Sequence, residues 1–274
     1  MKDVKLYVLD NGWMEGDQNH MTAMAVMGTI HNRHPRKKWG RWPVSCYLIE
    51  HPTVGKILFD VGCNPKTADI NSGYHPTGHL EIIPYYCRKD QMLEHQLKRT
   101  GTKKEEIKTI ICSHTHYDHM GNLRLFPGAD VYVPRADYEY AQRMFAAEKD
   151  PEKHISYVKK DFEAEVNWHM LPDADFTFAE GIDVIHVPGH CPDCVALVLE
   201  LEREGTVILA QDAVSSRFVF GPPARQTTYV YDTLSWYRSI EKVREIAERT
   251  GGRVFFSHDW KFFEGLKKAP NYYE

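Results

Sequence analysis

Between positions 114 and 119 the chain reads His114-Thr115-His116-Tyr117-Asp118-His119. Neutral imidazole and carboxylate are donors that zinc and similar borderline cations accept. His114 and His116, two apart on an extended segment, can reach one ion. Asp118 and His119 can turn toward a second ion beside it. A lone histidine would favour a surface residue without a role, but three histidines and an aspartate directly after an apolar run favour metal. Three further candidates lie far along the chain. His190, in Val187-Pro188-Gly189-His190, can complete the first trio, though alone it would read as a turn histidine. Asp212 follows Leu209-Ala210-Gln211 and alone would read as a strand-end turn former. His258 stands in Phe256-Ser257-His258-Asp259.

Each of these donors follows directly on a predicted strand. Residues 107–112 are a β-branched run read as a buried strand, with His114 just beyond. Residues 182–187 precede His190, residues 206–210 precede Asp212, and residues 253–257 end at His258. Residues 4–9 alternate like an edge strand. Residues 44–50 and 56–60 form a hairpin around 51–55, and residues 195–201 and 206–210 form another around 202–205. Further strands are expected at 130–133 and 176–178. Helices are expected at 91–99, at 134–149 with Pro134 near its start, and at 232–249 with Asp232 as N-cap and Gly251 past its end. Two βα-rich halves without sequence repeats, with donors at strand ends, point to a single domain over residues 1–274. The fold class is α/β, a four-layer αββα sandwich whose helices cover the outer faces of two sheets. Residues 12–41, rich in Met, Trp and His, and residues 64–88 fit no period and read as long functional loops.

Composition sets limits on the partners. With 34 basic and 38 acidic side chains the net charge is -4, which supplies no broad basic surface for nucleic acid. The first ten residues have no apolar h-region, and no stretch approaches a membrane span. Six cysteines in 274 residues do not form a disulfide framework. A cytoplasmic protein without a membrane partner is the expectation.

The motif set resembles the metallo-β-lactamase superfamily. Its HxHxDH pattern is carried by His114, His116, Asp118 and His119, and its later ligands match His190, Asp212 and His258. The resemblance covers nearly the whole chain. It implies two divalent ions, zinc first, with iron or manganese as alternatives. His114, His116 and His190 would hold one ion, Asp118, His119 and His258 the other, and Asp212 would bridge them. Asp60, in Phe59-Asp60-Val61-Gly62, matches the family's aspartate that supports the ligand loop. Hydroxide between two ions is a strong nucleophile at neutral pH, and Asp118 would accept or pass a proton.

A finer resemblance is to the N-acyl homoserine lactone lactonases. It rests on residues 5–10, Phe59-Asp60-Val61-Gly62, Gly121-Asn122 through Phe126-Pro127-Gly128-Ala129, residues 134–140 and Ser257-His258-Asp259. It implies a small lactone or ester as substrate. That branch commonly has a tyrosine three residues after the bridging aspartate. Here Ser215 stands there and becomes the second catalytic candidate, with Tyr229 or Tyr231 as substitutes. Where the branch has a second histidine after the Pro-Gly-His turn, this chain has Cys194. Cys191-Pro192-Asp193-Cys194 reads as two partly buried thiols beside the loop rather than a redox pair or a soft ligand. Met24, Met27 and Trp39 are expected near the substrate as an adaptable apolar lining. The same Met-rich segment could instead pack into the core or form a homodimer contact. Arg36, Lys37 and Lys38 read as a solvated loop.

The leading expectation is a dinuclear lactonase. A glyoxalase II-type thioesterase or an arylesterase is the second reading. A persulfide dioxygenase with one iron, and a metal-binding module without catalysis, are readings of other classes.

Overall fold

The computed structural model describes residues 3–274. A long hairpin opens the chain, β1 (Lys5–Asp17) with β2 (Trp39–His51), followed by β3 (Gly55–Phe59). A short helix α1 (Thr77–Ile82), a two-residue strand β4 (Tyr85–Tyr86) and α2 (Leu93–Arg99) lead to β5 (Thr109–Ile111). Then come α3 (Tyr117–Met120), β6 (Asp130–Pro134), α4 (Arg135–Ala147) and β7 (Asn167–Leu171). The second half runs β8 (Phe176–Ala179), β9 (Ile182–His186), β10 (Val195–Leu201), β11 (Gly205–Gln211), α5 (Arg217–Phe220), α6 (Thr233–Thr250), β12 (Arg253–Phe256) and α7 (Trp260–Glu264). The strands form two sheets, ordered β4-β1-β2-β3-β5-β6-β7 and β12-β11-β10-β9-β8.

Strand alternation builds the layers. Tyr47, Ile49, Ile57 and Phe59 face Leu197, Leu199, Val207 and Leu209 of the second sheet in one buried cluster. Their neighbours Leu48 and Leu58 face the other way, into a cluster with Leu93, Leu97, Ala141 and Phe145 of α2 and α4. On the far side, Ile208 and Ala210 pack with Trp236, Ile240 and Val243 of α6. Those three lie four and three residues apart, one stripe of an amphipathic helix, and burying each contributes about 1.5–3 kcal/mol. Asp232 caps α6 by accepting from the Ser235 N–H, and Gly251 ends it at φ +64°. The αββα sandwich is therefore present, with two unequal sheets.

Several local expectations change. Residues 4–9 do not form a free edge. The strand continues through a bulge at Gly12 to Asp17 and pairs with β2 along its length. On its other side β4 pairs with Trp13 and Met14, and the C-terminal tail exchanges backbone hydrogen bonds between Leu6 and Tyr273 at 2.8 and 2.9 Å. Gly12 has φ +88°, and a Cβ there would lie 2.2 Å from the Tyr86 carbonyl oxygen, so only glycine lets β4 close on the bulge. Hence residues 12–17 and 39–41 extend the first hairpin, leaving 18–38 as the connection. Residues 64–88 are likewise not one loop, since they carry α1 and β4. β7 lies at one sheet edge, paired parallel with β6, and was not expected. Among the described residues no helix is long and apolar enough to cross a membrane.

Candidate metal centre

Four loops at one end of the sandwich supply the seven donors. β5 ends at Ile111, and the segment after it delivers His114 and His116. The single turn α3 then presents Asp118 and His119. After β9 the chain turns at Gly189, φ +128°, where a Cβ would lie 2.3 Å from the Trp236 backbone nitrogen. Glycine thus lets this loop lie on α6 and bring His190 inward. β11 ends at Gln211, held at φ +45°, and Asp212 follows. β12 ends at Phe256, two residues before His258.

The structure brings all seven side chains together and sorts them into two groups. His114 Nε2 and His190 Nε2 lie 3.1 and 3.2 Å from His116 Nδ1. Asp118 Oδ2 lies 3.4 Å from His119 Nε2 and 3.5 Å from His258 Nε2. Asp212 stands between the groups. Its Oδ2 is 3.3 Å from His190 Nε2, and its Oδ1 is 3.1 Å from His258 Nε2 and 3.5 Å from His119 Nε2. One carboxylate thus presents one oxygen to each group.

The outward nitrogens are tied down, as ligating imidazoles require. His258 Nδ1 donates to the Pro43 carbonyl and His190 Nδ1 to the Tyr229 carbonyl, both at 2.9 Å. His119 Nδ1 donates to Asp60 Oδ2 at 2.7 Å. His114 Nδ1 lies 3.0 Å from Ser113 Oγ, which in turn donates to Asp60 Oδ2 at 2.9 Å. Asp60, φ +59° and fully buried, also accepts from the Ser113 N–H at 2.6 Å and from Gln211 Nε2. The carboxylate therefore braces the ligand loop and β11 together, the supporting position the resemblance implies.

The electrostatics suit a cation. Burial pushes the His114 and His116 imidazoles well below their usual range, and neighbouring imidazoles add to the effect. A neutral His116 Nδ1 carries at most one proton for the two nitrogens that face it, so hydrogen bonds alone do not satisfy this trio, whereas a cation between the rings would. In the other group burial would lower the pKa of His119, but Asp118, Asp212 and Asp60 outweigh it and raise it, the mark of a negative field that favours a positive charge beside the ring. Burial would raise the carboxyls of Asp118 and Asp212, and the facing histidines pull both down. Buried His119 Nε2 makes no hydrogen bond. Such a donor set, with an orphaned nitrogen facing two carboxylates, fits divalent cations of the zinc class.

Cys191 comes close to this centre without joining it. Its Sγ is 3.3 Å from His116 Nε2 and 3.9 Å from Nδ1. The sulfur is nearer the nitrogen that faces away from His114 and His190, so it supports the ring rather than completing the trio. Although its sulfur can fall within 4.8 Å of the three imidazole donors, that orientation argues against ligation. Both Cys191 and Cys194 are buried free thiols.

A narrow cavity opens over the centre, walled by His116, Asp118, His190, Asp212 and His258 on one side. Met14, Met21, His79, Tyr117, Ser215 and Tyr229 are among the residues of the other walls. Ser215 Oγ is buried and without a hydrogen bond, free for a ligand. Tyr229 also reaches the cavity, whereas Tyr231 is exposed and packs on Tyr140 at 5.4 Å. The expectation for Met24 and Met27 is overturned. They are 71% and 59% exposed, because the connection between β1 and β2 turns them outward, and Met14 and Met21 take that place. Trp39 is exposed at a neighbouring cleft that shares Met21, Ser215 and His258 with the cavity. Sequence reasoning missed His79 and Tyr117 as wall residues and reached Met14 only as a member of the Met-rich segment. Only Tyr117, inside the histidine motif, carried a local signal.

The profile of the metallo-beta-lactamase superfamily matches residues 39–258. N-acyl homoserine lactonase AiiB of Agrobacterium fabrum is 28% identical over 278 residues, covering 98% of this chain and 99% of its own. N-acyl homoserine lactonase AttM of Rhizobium johnstonii is 30% identical over 281 residues, covering the full length of both. A solved N-acyl homoserine lactone hydrolase, with the product N-hexanoyl-L-homoserine bound at its catalytic metal centre, superposes with a TM-score of 0.81. It is 24% identical and covers 98% of each chain. A matched span that runs from β2 to His258, around two sheets whose loops gather the seven donors, places this chain in the metallo-beta-lactamase superfamily, with N-acyl homoserine lactonases among its full-length relatives.

Proposed function

We propose that the protein is a dinuclear metal-dependent lactonase that opens N-acyl homoserine lactones or a similar small lactone. The observation that carries this reading is Asp212, with one carboxylate oxygen toward each of two donor groups. His114, His116 and His190 would hold one ion, and Asp118, His119 and His258 the other. Imidazole and carboxylate favour zinc, with iron and manganese accepted by the same donors. Divalent cations, when bound, lower the pKa of coordinated water and polarise an ester carbonyl. The donors come from both sheets, so the whole chain works as one domain.

The chain's own groups then have defined tasks. Water adds to the lactone carbonyl carbon, and the ring C–O bond breaks to give a hydroxy acid. The Asp118 carboxylate, held ionised by His119 and His258, accepts the proton from water and passes it to the leaving alkoxide. Ser215 Oγ donates to the carbonyl oxygen as negative charge develops there. The Tyr229 hydroxyl stands in the same cavity as a second donor. Asp60 keeps the His119 proton on Nδ1, so that Nε2 faces the carboxylates.

The test compares rates on N-hexanoyl homoserine lactone and on an acyl thioester, each with zinc-loaded protein. The lactonase reading expects ring opening to dominate kcat/KM by at least an order of magnitude. Faster thioester cleavage, with no lactone turnover, would transfer the assignment to the thioesterase reading.

A further inference from the structure

His79 stands in the cavity wall outside both donor groups, in a segment without a motif of its own. It lies on α1, whose first two backbone N–H groups, of Thr77 and Gly78, each donate to the Glu152 carboxylate at 2.9 Å. The ring is packed 4.9 Å from His75 and meets the edge of Tyr117 at 5.5 Å and 87°. The residue is 9% exposed and lines the cavity with Asp118, and its ring nitrogens make no hydrogen bond to any described residue. Burial, with His75 adding to it, lowers its pKa to about 3. The ring is thus neutral at any working pH and carries one N–H and one lone pair. Neither ring nitrogen is among the fully buried unpartnered atoms, so both are open to solvent and free to take a ligand's hydrogen bond.

We propose that His79 is a specificity-determining residue that hydrogen-bonds the amide of an N-acyl homoserine lactone. This rests on the lactonase reading and adds the recognition of one substrate group. The amide nitrogen is attached to the carbon next to the reacting carbonyl, so it lies two bonds from the reacting atom. His79 is placed to match, since it packs on Tyr117, the residue before Asp118. Met14, Met21 and Ile83 of the same lining are apolar and suit the acyl chain, while Ser156 and Thr227 add only hydroxyls. Among the described residues, His79 is the only imidazole of this cavity outside the donor groups.

The experiment measures KM and kcat for two lactones of matched chain length, N-hexanoyl homoserine lactone and a γ-alkyl butyrolactone without an amide. Wild type, H79F and H79Q are compared, all zinc-loaded. H79F keeps a ring against His75 and Tyr117 but removes both nitrogens. For the amide-bearing lactone, KM is expected to rise about tenfold in H79F, with kcat changing less. The amide-free lactone should change less than twofold, and H79Q should recover most of the preference. Should H79F not fold, H79Q alone decides, by keeping or losing the wild-type ratio between the two substrates. Equal losses on both lactones, or an H79Q enzyme without that preference, would overturn the assignment. Wild-type inactivity on both would overturn the lactonase reading, and this assignment with it.

Discussion

Replacing Asp60 by Asn isolates the bracing of the centre from its donors. Asn tolerates the φ of +59° at this position, so the backbone stays as it is. Oδ1 keeps its bond from the Ser113 N–H. The new NH₂ replaces Oδ2, which accepts from Ser113 Oγ, His119 Nδ1 and Gln211 Nε2. Three donors now face a donor. The serine hydroxyl can rotate, and the glutamine amide can turn its unpartnered Oε1 inward. The His119 ring can only move its proton to Nε2, which removes the lone pair that faces Asp118 and Asp212. Losing such a bracing group weakens metal affinity about 10–100-fold, on the order of 1.4–2.7 kcal/mol. The disturbed buried network should cost a further 1–3 kcal/mol, roughly, of folding stability. Competition of D60N with a chromophoric chelator for zinc measures the affinity. One ion per chain should remain tightly held and the other be weakened, with activity recovering in excess metal. Two ions bound with wild-type affinity would refute the bracing argument.

Other substitutions test the cavity and the electrostatics. S215A should lower kcat on a lactone by about a hundredfold to a thousandfold, as expected for a donor to a developing oxyanion. A larger loss in Y229F would move that role to the tyrosine. M21A should raise KM for a decanoyl more than for a butanoyl homoserine lactone, while the M24A/M27A pair should leave both KM values unchanged. Sedimentation of M24E/M27E tests the homodimer contact, which the outward position of these residues favours over a pocket role: the dimer reading expects a smaller particle than wild type. Asp161 accepts from the Tyr74 hydroxyl on one oxygen, has no partner on the other, and is pushed up to about 7 by burial. The folded chain keeps this proton to near pH 7, whereas an unfolded carboxyl releases it near pH 4. The folded state binds more protons across that window, so the residue lowers stability as pH rises through it. The Tm advantage of D161N should therefore grow by about 2–6 °C between pH 5 and pH 8. A pH-independent difference would contradict this.

The donors were legible because each is a chemically distinctive residue placed just past an apolar run, and strand ends converge whatever the loops do. The layers were legible because alternation in β2, β3, β10 and β11 is a period-2 signal that packing against helices preserves. What sequence did not carry depends on contacts between distant segments. β1 looked like an edge because the residues that cover it belong to the tail, Lys268 to Tyr273, a stretch with no strand pattern of its own. The Met-rich segment misled because methionine identity says nothing of direction, and the hairpin extension buries Met14 while the turn beyond exposes Met24 and Met27. His79 was invisible because a histidine on a six-residue helix has no local mark of facing a cavity. Ser215 was found only through its position after Asp212, and its unpartnered hydroxyl in the cavity gives that placement a physical basis.

The most direct test of the two-ion account is metal stoichiometry in wild type and D212A, each loaded with zinc, dialysed and assayed on N-hexanoyl homoserine lactone. The account predicts two ions per wild-type chain, and loss of at least one ion together with lactone hydrolysis in D212A. A single tightly held iron per wild-type chain, or a D212A variant that keeps two ions and full activity, would contradict it.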